Sequence, residues 1–123
     1  MDFFRKKNDM KKVHIIKHGY DFNRIIKNNK PIKYKDYIIY IERINEESYR
    51  FGFSVGKKIG NAVTRNRVKR QLKSIVDKKH YQNGFNCIII VGTGILKRDF
   101  QEMEENLFNA FEKLNIYNKE DFN

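Results

Sequence analysis

Cysteine occurs once in this chain of 123 residues, at Cys87, so no internal disulfide framework holds it together. The apolar run around it, "NCIIIVG", points to a core position. Proline also occurs once and glycine seven times, which excludes collagen-like and low-complexity disordered chains. No apolar stretch reaches the length of a signal peptide's hydrophobic segment or of a membrane-spanning helix, so a cytoplasmic protein without a membrane partner is expected. The side chains of an enzyme are missing too. No Ser/His/Asp or Cys/His arrangement suggests itself, and no carboxylate cluster lies in a basic region. His14 and His18 have metal-like spacing, but no further ligands accompany them, and two surface histidines are the simpler reading.

What is present is positive charge. Lys and Arg number 26 against 15 Asp and Glu, giving a formal net charge of +11. Such an excess destabilises a folded chain by self-repulsion, and a polyanionic partner offsets it, nucleic acid first and an anionic membrane second. The charge is unevenly placed: residues 1–35 carry about +8 and 57–80 about +8, whereas 36–56 carry about −2 and 81–123 about −3. If the two basic segments fall on one side of the fold, they make one binding surface; if they oppose each other, the protein could bridge two polyanions.

The length suits a single domain, with residues 1–12 as a basic arm and 115–123 as a flexible tail. In "YDFNRIIKNN", Phe22, Ile25 and Ile26 recur at helical spacing behind Asp21 as N-cap, predicting a short helix over 20–29. Pro31 forces extended backbone near it, and a brief strand around 32–34 is possible. The β-branched and aromatic run at 36–44, a turn at 45–48 and the alternating "YRFGFSVG" predict two strands paired as an antiparallel hairpin. A helix is expected over 61–79. "FNCIIIVG" then reads as a buried central strand, with Gly92–Gly94 as a turn. Asp99 and Glu102 form a capping box ahead of a helix whose Phe100, Met103, Leu107, Phe111 and Leu114 would face the sheet. The order helix, strands, helix, strand, helix implies a small two-layer α/β sandwich of the α+β class, with about four strands.

The 61–79 helix carries the densest signal. At about 100° per residue, Val68, Leu72, Ile75 and Val76 share one narrow stripe that must face the sheet. Asn66, Lys69, Arg70 and Lys73 cluster opposite, and Arg65 and Arg67 project from the flanks. No acidic residue relieves this repulsion before Asp77, so an ordinary solvated face is a weak explanation and phosphate contacts a better one. "GKKIGN" at the helix start departs from a nucleotide-binding P-loop in spacing and lacks its magnesium-holding Ser or Thr. General physics survives: free N–H groups at the helix start, with Lys57, Lys58 and Asn61, could lodge a phosphate or a hydrated magnesium bridging phosphates. Among the aromatics accompanying the basic segments (Phe22, Tyr34, Tyr37, Tyr40, Phe51), most belong to the core. One strand offers Tyr37 or Tyr40 to a wet face, depending on the pleat, where it could stack on an unpaired base.

"FGFSVGKKIGNAVTRNRVKRQLK" resembles the protein subunit of bacterial ribonuclease P. The family pattern stands here as Val55, Lys57, Lys58, Ala62, Val63, Arg65, Asn66, Arg67, Lys69 and Arg70. Asp21, Phe22, Lys27 and the strand "YIIYI" are similar as well, so the likeness covers roughly residues 15–114. The resemblance implies an RNA-binding protein that helps a catalytic RNA remove the 5′ leader of precursor tRNA. Catalysis would lie in the RNA, with Mg2+ as its cofactor and no catalytic protein side chain. The helix and its start, bearing Lys57, Lys58, Asn61, Arg65, Asn66, Arg67, Lys69, Arg70 and Lys73, would approach the catalytic RNA. Phe22, Tyr40 and Ser54 would line a cleft for the single-stranded leader. The implied fold resembles the second domain of small-subunit ribosomal protein five, with a left-handed β-α-β crossover around the 61–79 helix, against the usual hand. The implied partners are the catalytic RNA and precursor tRNA, with no protein partner required. A general basic RNA-binding protein of ribosomal type, without a role in cleavage, is the alternative.

Overall fold

The computed structural model describes residues 11–118. Three helices and four strands follow in the order α1 (Gly19–Asn28), β1 (Ile32–Tyr34), β2 (Tyr37–Arg43), β3 (Tyr49–Ser54), α2 (Ala62–Val76), β4 (Phe85–Val91) and α3 (Phe100–Leu114). Short 3₁₀ turns stand at Lys12–His14, Lys57–Ile59 and Thr93–Lys97. The expected α+β class is observed, with a mixed sheet in the order β1-β2-β4-β3.

That order corrects the expected hairpin. β2 and β3 do not pair; β4 enters between them, antiparallel to β2 and parallel to β3. The physical reason lies in β4 itself. Phe85 to Ile89 are all buried, so this strand needs neighbours at both edges and cover on both faces, which a central place supplies. The 45–48 turn therefore bridges over the start of β4 instead of closing a hairpin. Gly84 stitches the gap: its N–H donates to Ser48 O at 2.8 Å and its carbonyl accepts from Ile44 N at 2.9 Å.

The two faces of the sheet differ. Tyr37, Ile39, Phe51, Phe53, Phe85, Cys87, Ile89 and Val91 enter the main core with Val68, Leu72, Ile75 and Val76 of α2 and Met103, Leu107, Ala110 and Phe111 of α3. The opposite face carries a smaller cluster of Ile16, Ile25 and Ile88, with Phe22, Ile26, Tyr40 and Ile90 packed against it beneath α1. Cys87 lies in the main core as expected, and burial pushes its thiol up.

Element ends show where tertiary contacts overrule local signals. α1 starts at Gly19 with His18 at its N-cap, so Asp21 is not the cap; its buried carboxylate takes Arg24 and Arg50 instead. α2 begins behind Asn61, whose Oδ1 accepts from Thr64 N at 3.0 Å, and ends at Val76 rather than 79. There the Tyr81 hydroxyl donates to Val76 O at 2.7 Å and takes one of the helix's terminal carbonyls. The Asp99–Glu102 capping box forms as expected. Phe100 does not face the sheet; it is exposed, with the Lys78 ammonium over its ring. The expected loose tail from 115 does not hold for Ile116 and Tyr117, which are buried. Residues 1–10 of the expected arm and 119–123 of the tail lie outside the described residues.

Candidate nucleic-acid interface

α2 is anchored by its apolar stripe: Val68, Leu72, Ile75 and Val76 are all buried against the sheet, as their spacing predicts. Asn61, Asn66, Arg67 and Arg70 are exposed, and Lys69 and Lys73 half-buried. Lys57 and Lys58 are exposed on the 3₁₀ turn before the helix. The bend joining turn to helix is made at Gly60, whose φ of 152° suits glycine alone. Arg65 departs from the expected flank. It lies within about 40° of the middle of the apolar stripe by helical geometry, and is half-buried. Its Nε is shut off from water without an acceptor. A buried donor left unmade is unfavourable by about 1–3 kcal/mol.

Partnering separates these cations from the rest of the molecule. Arg24 binds Asp21 and Glu42, Arg50 binds Asp21 and Asn86, Arg98 binds Asp36 and Glu102, and Arg43 donates to Leu114 O. Arg65, Arg67 and Arg70 have no carboxylate or carbonyl acceptor among the described residues, nor do Lys57, Lys58, Lys69 and Lys73 have an ion-pair partner there. Lys78 and Lys79, just beyond the helix, are spent on α3, through Glu104 and the Phe108 ring.

A second feature lies on the α1 face. Register places Gly52 beside Ile88 and Ile88 beside Tyr40, with Ser54, Ile90 and Ile38 forming the next row. Phe22 reaches down from α1 onto this floor. A Cβ on Gly52 would stand 2.7 Å from Phe22 Cζ and 2.7 Å from Ile88 Cδ1, so the ring seats only because position 52 has no side chain. The pleat also decides between the two tyrosines. Tyr37 is buried in the main core, its hydroxyl donating to Met103 O at 3.0 Å and its phenol pushed up by burial. Tyr40 is half-buried on the α1 face beside Phe22. Phe22, Tyr40 and Ser54 thus share one face.

At one end this face is closed by a charged ring. Glu42 accepts from Arg24 Nε and Nη2, each at 3.0 Å, and from Asn86 Nδ2 at 2.8 Å, while Asn86 Oδ1 accepts from Arg50 Nε at 3.1 Å. Arg24 and Arg50 both reach Asp21, closing the circuit from α1 to three strands. The hydrogen bonds from Arg24, ahead of the opposing desolvation, hold the Glu42 carboxyl below the usual range. The other end opens toward Ser54, where the chain leaves β3 for Lys57, Lys58 and α2. Because α2 then runs back to the Tyr81–Phe85 end, its basic N-terminal half stands at this open end of the sheet.

A family model described as Ribonuclease P matches residues 10–115. The chain belongs to the ribonuclease P protein family. A ribonuclease P protein component from Streptococcus pyogenes is 34% identical over 111 residues, which is 89% of this chain and 93% of that protein. The RNase P protein of Staphylococcus aureus matches with a TM-score of 0.76 at 28% identity, over 85% of this chain and 98% of the other. The Thermotoga maritima RNase P protein matches at 0.72 and 23% identity, over 80% and 94%, and supports the fold. Membership in the ribonuclease P family places the chain in tRNA processing, as the protein component of a ribonucleoprotein.

His14 stacks on Tyr49 at 4.0 Å with Nδ1 2.8 Å from Tyr49 O, while His18 stacks on Tyr20. Among the described residues no group of His, Cys, Asp and Glu could hold a metal ion. At Asn61, Oδ1 accepts from Thr64 N and no carboxylate lies between 57 and 76, so the ligands of an ion bridging phosphates there would be the phosphates' own. The ring of Asp21, Arg24, Glu42, Arg50 and Asn86 went unread in the sequence. Its one local trace is the i,i+3 spacing of Asp21 and Arg24.

Proposed function

We propose that this protein binds the catalytic RNA of ribonuclease P through α2 and the 5′ leader of precursor tRNA through the cleft beneath α1. Bond breaking belongs to the RNA, and the Mg2+ of the reaction is the RNA's ion, since α2 offers cations and no carboxylates. The carrying observation is the contrast in partnering: four described arginines outside α2 have acceptors, and the three on α2 have none among the described residues. Their phosphate acceptors come with the RNA, which explains why the charge is tolerated. In the cleft, Phe22 and Tyr40 offer ring faces to unstacked bases, which only a single-stranded segment can present. Holding the leader there raises precursor affinity over that of mature tRNA.

The test is single-turnover cleavage of a precursor tRNA by the cognate RNA at low magnesium, with and without the protein. Stimulation by the protein, together with no cleavage by protein alone, is the expected result. No stimulation would point to a general RNA-binding protein; cleavage surviving rigorous RNA removal would overturn the assignment of chemistry.

A further inference from the structure

The sealed end of the α1 face gives the cleft a direction. With Asp21, Arg24, Glu42, Asn86 and Arg50 tied together there, α1 lies over the sheet at that end and a bound strand cannot run along β2 or β4 past it. The row left open crosses the strands instead. Register sets Ser54 of β3 beside Ile90 of β4, Ile90 beside Ile38 of β2, and Ile38 beside Lys33 of β1. Paired residues share a face, so Lys33, exposed, stands at the far rim of the floor on which Phe22 and Tyr40 sit.

Charge reinforces that course. By helical spacing, Asp21 and Arg24 occupy the α1 flank toward the sealed end, while Lys27, about 60° from Arg24, lies exposed on the outer face of the helix and away from the sheet. Lys30 follows in the link from α1 to β1. The carboxylate nearest in sequence to this rim, Asp36, is taken by Arg98 Nε at 2.8 Å. Three strand spacings separate Ser54 from Lys33, about 14 Å, the length of about four stacked nucleotides.

We propose that Lys33, with Lys30, forms a second phosphate rail at the β1 rim, gripping leader nucleotides far from the cleavage site. This rests on the reading of the cleft as the leader's site. Nucleotides next to the scissile bond lie at Ser54, beside α2 and the catalytic RNA, and those farther upstream cross Ile90 and Ile38 to reach Lys33. The contact is to phosphate, so it is indifferent to leader sequence and sensitive to leader length.

The experiment uses reconstituted holoenzyme and precursor tRNAs whose leaders are about two and about eight nucleotides long, on either side of the span above. Lys33→Ala is expected to weaken binding of the long-leader precursor about two- to fivefold, the size of one exposed charge contact, and to leave the short one unchanged. The slope of log Kd against log salt for the long leader should fall by about 0.7. Lys33→Glu should deepen the defect. Equal effects on both leaders, or none on either, would overturn the rail; Phe22→Ala run alongside then tells whether the cleft survives it. If Phe22→Ala also fails to distinguish precursor from mature tRNA, the cleft reading itself falls.

Discussion

Adding one methyl group at position 52 tests the geometry of the cleft most sharply. In Gly52→Ala the new Cβ would stand 2.7 Å from both Phe22 Cζ and Ile88 Cδ1, whereas carbon atoms rest at about 3.5–4.0 Å. Something must retreat by roughly 1 Å. Ile88 is fully enclosed beneath α1, so Phe22, half-buried at the edge of the smaller cluster, is the side chain that moves. Overpacking of this kind destabilises by about 1–3 kcal/mol, and the stiffer unfolded chain returns about 0.4–1 kcal/mol. The net loss is about 1 kcal/mol, a fall in Tm of roughly 3–6 °C. Displacing the ring also removes part of a stacking surface worth about 1–3 kcal/mol per base, so affinity for leader-bearing precursor should drop about fivefold or more. Calorimetry of the free protein and equilibrium binding of precursor and mature tRNA to the holoenzyme read both effects. An unchanged Tm with unchanged leader affinity would show that Phe22 does not rest on Gly52; equal weakening for precursor and mature tRNA would show that the change acts through the fold at large.

Further predictions concern the charges. Arg67→Ala should weaken assembly with the catalytic RNA, measured by gel shift, without lowering the free protein's Tm, because Arg67 is exposed and has no partner among the described residues. Arg65→Ala should weaken assembly too, and leave the free protein as stable or more so, since it removes a buried unpaired donor; a stability loss above about 1 kcal/mol would contradict that reading. Glu42 has its folded pKa depressed, so its contribution is complete above the ordinary carboxylate value and is lost as pH falls through the folded one. Glu42→Gln should therefore lower the urea midpoint at pH 7, and the gap to the parent protein should close in acid; a gap independent of pH would rule out the charge as its source. Sulfate or phosphate should raise the Tm of the free protein, by the equivalent of about 2.7 kcal/mol at a hundredfold excess over Kd, whereas chloride at matched ionic strength should raise it less. Equal shifts in both salts would refute specific anion binding.

Much of this molecule is legible locally. α3 follows from a capping box and an i, i+4 apolar pattern, α2 from four apolar residues in one stripe, and the central place of β4 from its apolar run Cys87 to Val91. Strand pairing is another matter. A turn such as 45–48 is compatible with a hairpin or with a bridge over a third strand, and only competition from β4, distant in sequence, decides. The same holds for Asp21, whose position before an apolar turn suits a cap until Arg50 arrives from β3 to claim it. For the candidate site, the basic face was readable because charge needs no register. That Phe22, Tyr40 and Ser54 share a face while Tyr37 turns away depends on pleat and pairing, which single-strand patterns leave open.

Whether α2's unpaired cations meet RNA phosphates is measured most directly by the salt dependence of binding to the cognate catalytic RNA. Compared with the parent protein, a Lys69→Ala/Arg70→Ala variant should show a log Kd against log salt slope shallower by about 1.4–1.8, one increment for each phosphate no longer neutralised. Identical slopes, with affinity unchanged, would mean that this face of the helix does not touch RNA.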